Sequence, residues 1–207
     1  MSGILALQGG GPFAANDDLD RRLLAAVGAT RVVMLPTADA YEHPELLVAA
    51  AMHWGERLDV EIEALMVMRR SEAIDDGAVA VVRAARAVYL VGDQPLHLRS
   101  VLKGTPLWDA IRQVLSDGGL VAATGGSAGA MCDPMVDPRG GAFTLGLGLI
   151  EGVALVTEAE TWSADRLHRT LNMANTPVVE MPSGTALLHT DDGWELVGDL
   201  TVHGDLP

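Results

Sequence analysis

The chain has 207 residues, of which 49% are hydrophobic and 20% charged, and it carries a net charge of −14. That balance suits one globular α/β domain over residues 1–207 with a sizeable core, and excludes an unfolded polar chain. It also excludes nucleic acid and anionic membranes as natural partners, because no run of Lys or Arg forms a basic stripe against the acidic field.

In chain order the apolar pattern alternates short strand-like runs with longer helical ones. Residues 4–7 read as a buried strand that ends at Gly9-Gly10-Gly11. A helix follows over 17–27, with Asn16 or Asp17 to cap it and Gly28 to end it. Strands are expected at 31–35, stopped by Pro36, and at 60–67. Helices are expected over 44–58, with a proline near the first turn, and over 72–85. Met66 and Met68 read as core-filling residues. A strand at 87–91 breaks at Gly92, and a short helix starts near Leu96. Thr105-Pro106 supplies an N-cap and a first helical residue to the next helix. The strand at 120–123 runs directly into Gly125-Gly126-Ser127-Ala128-Gly129.

Continuously apolar strands between helices predict a three-layer fold: a mostly parallel sheet with helices on both faces. Beyond about residue 150 the pattern changes. A strand at 153–157 and a helix at 163–172 precede short strands at 177–180, 185–189, 194–197 and 200–203. This tail reads as antiparallel strands added to the sheet edge.

A G-x-S-x-G sequence placed between a strand and a helix is the arrangement of a nucleophile elbow, in which small neighbours allow a tight turn. Ser127 would then project from the carboxyl edge of the sheet, where open α/β sheets bind ligands. The Ala128 N–H could serve an oxyanion there. Gly92-Asp93-Gln94 ends a neighbouring strand, so its loop lies beside the elbow. The Gly92 N–H is a second oxyanion donor by this reading, and Gln94 and Asp93 stand near a bound substrate. Gly9-Gly10-Gly11-Pro12-Phe13-Ala14 matches a dinucleotide-binding turn, but Pro12 lacks a backbone donor and the helix starts only after Asn16. The turn is therefore read as part of the cleft, with Gly10 beside the substrate and no cofactor.

Four ordered blocks carry a family resemblance: Pro36-Thr37-Ala38, Gly92-Asp93-Gln94, Leu102-Lys103-Gly104-Thr105 and Gly125-Gly126-Ser127-Ala128-Gly129-Ala130. Together with Gly9-Gly10-Gly11 and Leu147-Gly148-Leu149, they resemble the cyanophycinase and aspartyl dipeptidase family of serine peptidases, family S51. The resemblance implies a class I glutamine amidotransferase-like fold and a serine peptidase. In it Ser127 is the nucleophile, Gly92 and Ala128 form the oxyanion hole, and Gln94 lies near the substrate.

One departure matters. A serine needs a general base within hydrogen-bond reach, and in the family this is a histidine at the end of the strand after the Leu-Gly-Leu block. Here that stretch reads Ala154-Leu155-Val156-Thr157-Glu158-Ala159-Glu160-Thr161. Glu158 falls nearest the missing base. His168 is the nearest histidine in sequence, although it lies in a helix, and His97 follows the Gly92 loop.

Three readings follow: a serine hydrolase acting on a short peptide or isopeptide, a degenerate member that binds a small ligand or a partner protein, and an enzyme with Glu158 or Glu160 in place of the base. No metal site is expected, since no cluster has ligand spacing. Cys132 stands alone, which precludes an internal disulfide. No secretory leader pattern or apolar run of about 18 residues occurs, so a cytoplasmic location is expected. A homodimer is a reasonable state for such a domain.

Overall fold

The computed structural model describes residues 2–207. Its centre is a seven-stranded sheet whose strands were mostly legible as apolar runs. In chain order these are β1 (Ile4–Gln8), β2 (Arg31–Leu35), β3 (Glu61–Ala64), β4 (Ala87–Leu90) and β5 (Leu120–Thr124). All five run parallel, in the order β1-β5-β4-β2-β3.

Alternate side chains serve opposite faces, as the period of a strand requires. Leu5, Leu7, Val33, Leu35, Val88, Leu90, Val121 and Ala123 face one layer. Ala6, Val32, Met34, Ala87, Tyr89, Leu120 and Ala122 face the other. Helices α1 (Asp17–Val27) and α2 (Pro44–Leu58) cover the second layer. Helices α3 (Asp76–Arg83), α4 (Pro95–Leu102) and α5 (Pro106–Ser116) cover the first.

Local chemistry sets the helix limits. Gly28 adopts the left-handed conformation at φ 63° and returns its N–H to the Ala25 and Leu24 carbonyls, closing α1. Thr105 Oγ1 accepts from the Trp108 N–H at 3.3 Å, with Pro106 as the first helical residue. Helix α5 buries Leu107, Ile111, Val114 and Leu115, a stripe at three- and four-residue spacing.

The third helix starts later than its pattern suggested. Glu72 turns its carboxylate back onto the N–H groups of Met68 (2.7 Å) and Arg69 (3.2 Å), and fixes a turn there. Asp75 then caps α3 through the Ala78 N–H. The strand expected over 60–67 stops at Ala64. It is the outermost strand, and Met66 beyond it is 46% exposed rather than a core residue.

After β5 come α6 (Gly126–Met131) and four two-residue strands: β6 (Cys132–Asp133), β7 (Met135–Val136), β8 (Phe143–Thr144) and β9 (Ile150–Glu151). The rest comprises β10 (Ala154–Thr157), α7 (Ala164–Met173), β11 (Val178–Met181), β12 (Ala186–Thr190), β13 (Gly193–Val197) and β14 (Thr201–His203). Strands β12 and β13 extend the main sheet antiparallel beside β1. The expected tail is only half of this kind, since β10, β11 and β14 form a separate sheet. That sheet exists because Ala154, Val156 and Val178 need cover, and Trp162, Leu167 and Leu171 supply it. Among the described residues no helix is long and apolar enough to cross a membrane.

The core layers make a stability prediction. Ile111→Ala removes a fully buried side chain from the α5–sheet layer and should cost about 2–5 kcal/mol. Leu46→Ala, at a residue 64% exposed, should stay within about 0.5 kcal/mol. Urea unfolding monitored by circular dichroism should separate the two by midpoint at equal slope.

Candidate active-site cleft

The parallel strands end together, and their following turns meet at one edge. Strand β1 delivers Gly9-Gly10-Gly11, and β2 delivers the turn Thr37–Asp39. Strand β4 delivers Gly92-Asp93-Gln94, and β5 delivers Gly125. Glu158, just after β10, reaches the same edge: its N–H donates to the Gly9 carbonyl at 2.8 Å.

The turn after β5 decides what this edge can do. Gly125 lies at φ 61° and ψ −131°, a backbone setting open essentially to glycine alone, and α6 begins at the next residue. The apex of the strand–helix elbow is therefore Gly125, two residues before Ser127. A Cβ placed on Gly125 would stand 2.6 Å from Asp93 Oδ1. The space above the apex is thus taken by the Asp93 carboxyl. That carboxyl also accepts from the Gly126 N–H at 3.3 Å.

Ser127 sits in the first turn of α6, fully buried. Its hydroxyl donates to the Gly92 carbonyl at 3.0 Å, and its own N–H donates to the same oxygen at 2.9 Å. The Ala128 N–H donates to the Gly125 carbonyl at 3.0 Å, so it is engaged within the turn. Gly92 lies at φ 109°, and a Cβ there would meet Asp39 Oδ1 at 2.5 Å. The same Asp39 oxygen accepts from the Asp93 N–H at 2.8 Å.

The edge is acidic. Asp93 is an exposed residue overall, but its carboxyl turns inward against Gly125 and Gly126. Loss of water there raises its pKa, the Gly126 N–H opposes the rise, and the Asp39 charge adds to it. Glu158 holds a left-handed backbone at φ 49°, and Gly10 is where its side chain lies, since a Cβ on Gly10 would meet Glu158 Cγ at 2.7 Å. Burial raises the Glu158 pKa, and the Asp93 and Glu160 charges push it the same way. Glu160 is held low by its hydrogen bonds with Ser183, whose N–H lies 3.2 Å from both carboxylate oxygens.

A family model for peptidase family S51 matches residues 4–197. The chain belongs to peptidase family S51. It is similar to the crystal structure of a peptidase from an acI-B1 Actinobacterium, at 26% identity over 98% of this chain and 90% of that one, with a TM-score of 0.87. It also shares the fold of a putative peptidase E protein from Listeria monocytogenes EGD-e, at 14% identity over 97% of this chain and 98% of that one, with a TM-score of 0.69. Among curated proteins none matches the chain. The family and these neighbours support a peptidase-like hydrolase and bear out the three-layer fold.

In this S51 chain the sheet edge brings together Gly10, Gly92, Asp93, Ser127, Ala128 and Glu158. It does not bring a histidine to Ser127. His97 Nε2 pairs with the Met68 carbonyl at 2.9 Å, and its ring meets Tyr41 edge-on. His168 is exposed on α7, with its Nε2 against Asn172 at 2.9 Å. His43 and His53 pair with Glu45 and Glu56, His203 pairs with Glu180, and His189 packs against Trp194. Gln94 is the residue before α4 and lines a small crevice with Pro95, Leu96, Asp137, Pro138 and Arg139. Trp162 packs against Arg166, whose guanidinium lies 3.5 Å from the ring centre. Among the described residues no group of His, Cys, Asp or Glu side chains is arranged to hold a metal.

Sequence reasoning named Gly125 in the motif but not as its apex, and gave Asp39 no part in the site. The signal for the first was the doubled glycine ahead of Ser127, which lets the helix start early.

The turn makes a contrast that unfolding can read. Gly125→Ala forces a side chain into a glycine-only backbone and onto Asp93 Oδ1, and should cost about 1–3 kcal/mol or more. Ser127→Ala removes one buried hydrogen bond and should cost about 0.5–1.5 kcal/mol. A smaller loss for Gly125→Ala than for Ser127→Ala in urea titrations would contradict the placement of the apex.

Proposed function

We propose that this S51 chain binds a short peptide-like ligand in its acidic cleft without forming an acyl-enzyme at Ser127. One observation carries the reading: the Ser127 hydroxyl is buried against the Gly92 carbonyl, with no histidine bonded to it. Serine attack on a peptide requires a base to remove the hydroxyl proton and open space for the carbonyl carbon. Here the proton points at a backbone oxygen, which cannot accept it at neutral pH. The oxyanion partner expected at Ala128 is spent on Gly125.

The cleft's charge supports a ligand with a cationic group, such as the free amino terminus of a peptide. Asp39, Asp93 and Glu158 converge there, and two of the three have raised pKa values that a nearby cation would lower. The sign is fixed by those shifts. Protonation of Asp93 and Glu158 sets in at a higher pH than for ordinary carboxyls, so affinity for a cation should fall early on acidification.

A second reading rests on the same pair. Two carboxyls whose charges disfavour each other, beside a strained backbone at Glu158, resemble the environment of a general acid and base. In that reading Asp93 would take a proton from an attacking water while Glu158 protonated the leaving amine.

Calorimetric titration with short peptides, free and N-acetylated, tests the proposal. Free peptides should bind, acetylated ones should bind more weakly, and Glu158→Gln should weaken the free form roughly tenfold. Product analysis by mass spectrometry runs alongside. Turnover lost in Ser127→Ala would overturn the proposal. Turnover lost in Asp93→Asn and Glu158→Gln but kept in Ser127→Ala would favour the carboxyl pair.

A further inference from the structure

Beneath the turns at the sheet edge lies a chain of buried polar groups to which the proposed function gives no role. Asp20, on the inner face of α1, is 1% exposed. Its Oδ1 accepts from Gln8 Nε2 and from the Tyr89 hydroxyl, each at 2.6 Å. Gln8 Oε1 accepts in turn from Thr124 Oγ1 at 3.0 Å. The chain therefore joins α1 to the ends of β1 and β5, with β4 attached through Tyr89. The backbone of the same strand ends holds the turns above. The Gly125 N–H donates to the Gln8 carbonyl at 3.1 Å, and the Gly9 carbonyl accepts from Glu158.

Such a chain has a direction. An ionised Asp20 is acceptor-only, so the Gln8 amide must turn its NH2 toward Asp20 and its oxygen toward Thr124, which must donate. A protonated Asp20 gains a donor. The Gln8 amide, turned over, then offers its oxygen to Asp20 and its NH2 to Thr124. The Thr124 hydroxyl becomes an acceptor there, and its own hydrogen is redirected beside the Gly125 turn. Only the Gln8 amide and the Thr124 hydroxyl have to rotate.

We propose that Asp20 is a buried positioning residue for the cleft, whose proton sets the direction of the Asp20–Gln8–Thr124 chain and, through it, the setting of the Gly125 turn and the Gly9–Glu158 link. Any ligand that prefers one setting would change the proton affinity of Asp20 by the same free energy.

The exchange falls in a useful range. Burial raises the Asp20 pKa from 3.8 to about 6; the Tyr89 and Gln8 hydrogen bonds and the nearby Trp54 indole oppose this, and the Asp17 charge adds to it. The Trp54 N–H makes no hydrogen bond of its own. The groups facing Asp20 are thus Gln8 from β1, Tyr89 from β4, Trp54 from α2 and Asp17 on its own helix. Asp17 is already paired with Arg57 at 2.8 Å. Burial and the Asp20 charge push the Tyr89 hydroxyl well above its usual pKa, so it stays a donor. Because the folded value lies above the unfolded one, the stability contributed by neutral Asp20 is complete below 3.8 and is lost as pH rises through about 6.

The test is an NMR pH titration of the full chain without ligand, so it stands or fails apart from the ligand reading. It follows the Asp20 carboxyl carbon and the amides of Gly125, Gly126 and Glu158. The amides of Gly125 and Glu158 should show a component that shares the Asp20 midpoint, near 6. That component should survive Asp93→Asn, which removes the other carboxyl at the turn. It should vanish in Asp20→Asn, whose amide mimics the protonated acid. Thr124→Val should leave the Asp20 titration in place while Gly125 no longer follows it. The proposal is overturned if Gly125 and Glu158 stay still while Asp20 titrates, or if either Asp20→Asn or Thr124→Val leaves the shared component of Gly125 intact.

Discussion

The cleft depends on the backbone setting of Gly125. A residue with a side chain resists φ 61° with ψ −131°, so the turn forms where glycine permits it. Because α6 starts immediately afterwards, Ser127 is drawn into the first helical turn and its hydroxyl faces the Gly92 carbonyl. The vacated space above the apex admits the Asp93 carboxyl, which the Gly126 N–H then holds. One conformational choice therefore determines which side chain stands at the sheet edge.

Around that turn the structure is built to crowd carboxyls together. Glycines at 10, 92 and 125 each leave room for one, Glu158, Asp39 and Asp93 respectively. Shielding from water disfavours ionisation first, and neighbouring charges add to it, which accounts for the raised pKa values of Asp93 and Glu158. A serine hydrolase gains from a base that readily becomes cationic beside the nucleophile. This edge instead concentrates negative charge, with burial raising the pKa of Asp93 and Glu158.

The fold was readable wherever periodicity and punctuation agreed. Apolar runs at β1, β2, β4 and β5, the Gly28 cap and the Thr105-Pro106 start all describe local preferences that the packed structure keeps. What escaped was set by partners distant in sequence. Glu72 folds back onto Met68 and Arg69, so its helix starts only after Asp75, and β11 joins β10 rather than the main sheet. The order of the cleft loops was legible from the Gly92 and Gly125 blocks. The displaced apex was not, because G-x-S-x-G spacing is the same whichever glycine turns. Asp20 shows the same limit: nothing in the sequence sets it apart from Asp17 and Asp18 at the start of α1, and only tertiary packing buries it against Tyr89 and Gln8.

The central claim is that Ser127 is not an activated nucleophile, and its most direct measurement is intact-mass analysis after treatment with a fluorophosphonate probe. The account predicts no adduct on the folded protein, with wild type and Ser127→Ala giving the same unmodified mass. A single adduct on wild type that is absent from Ser127→Ala would contradict it, and would require a base to reach the hydroxyl that now donates to Gly92.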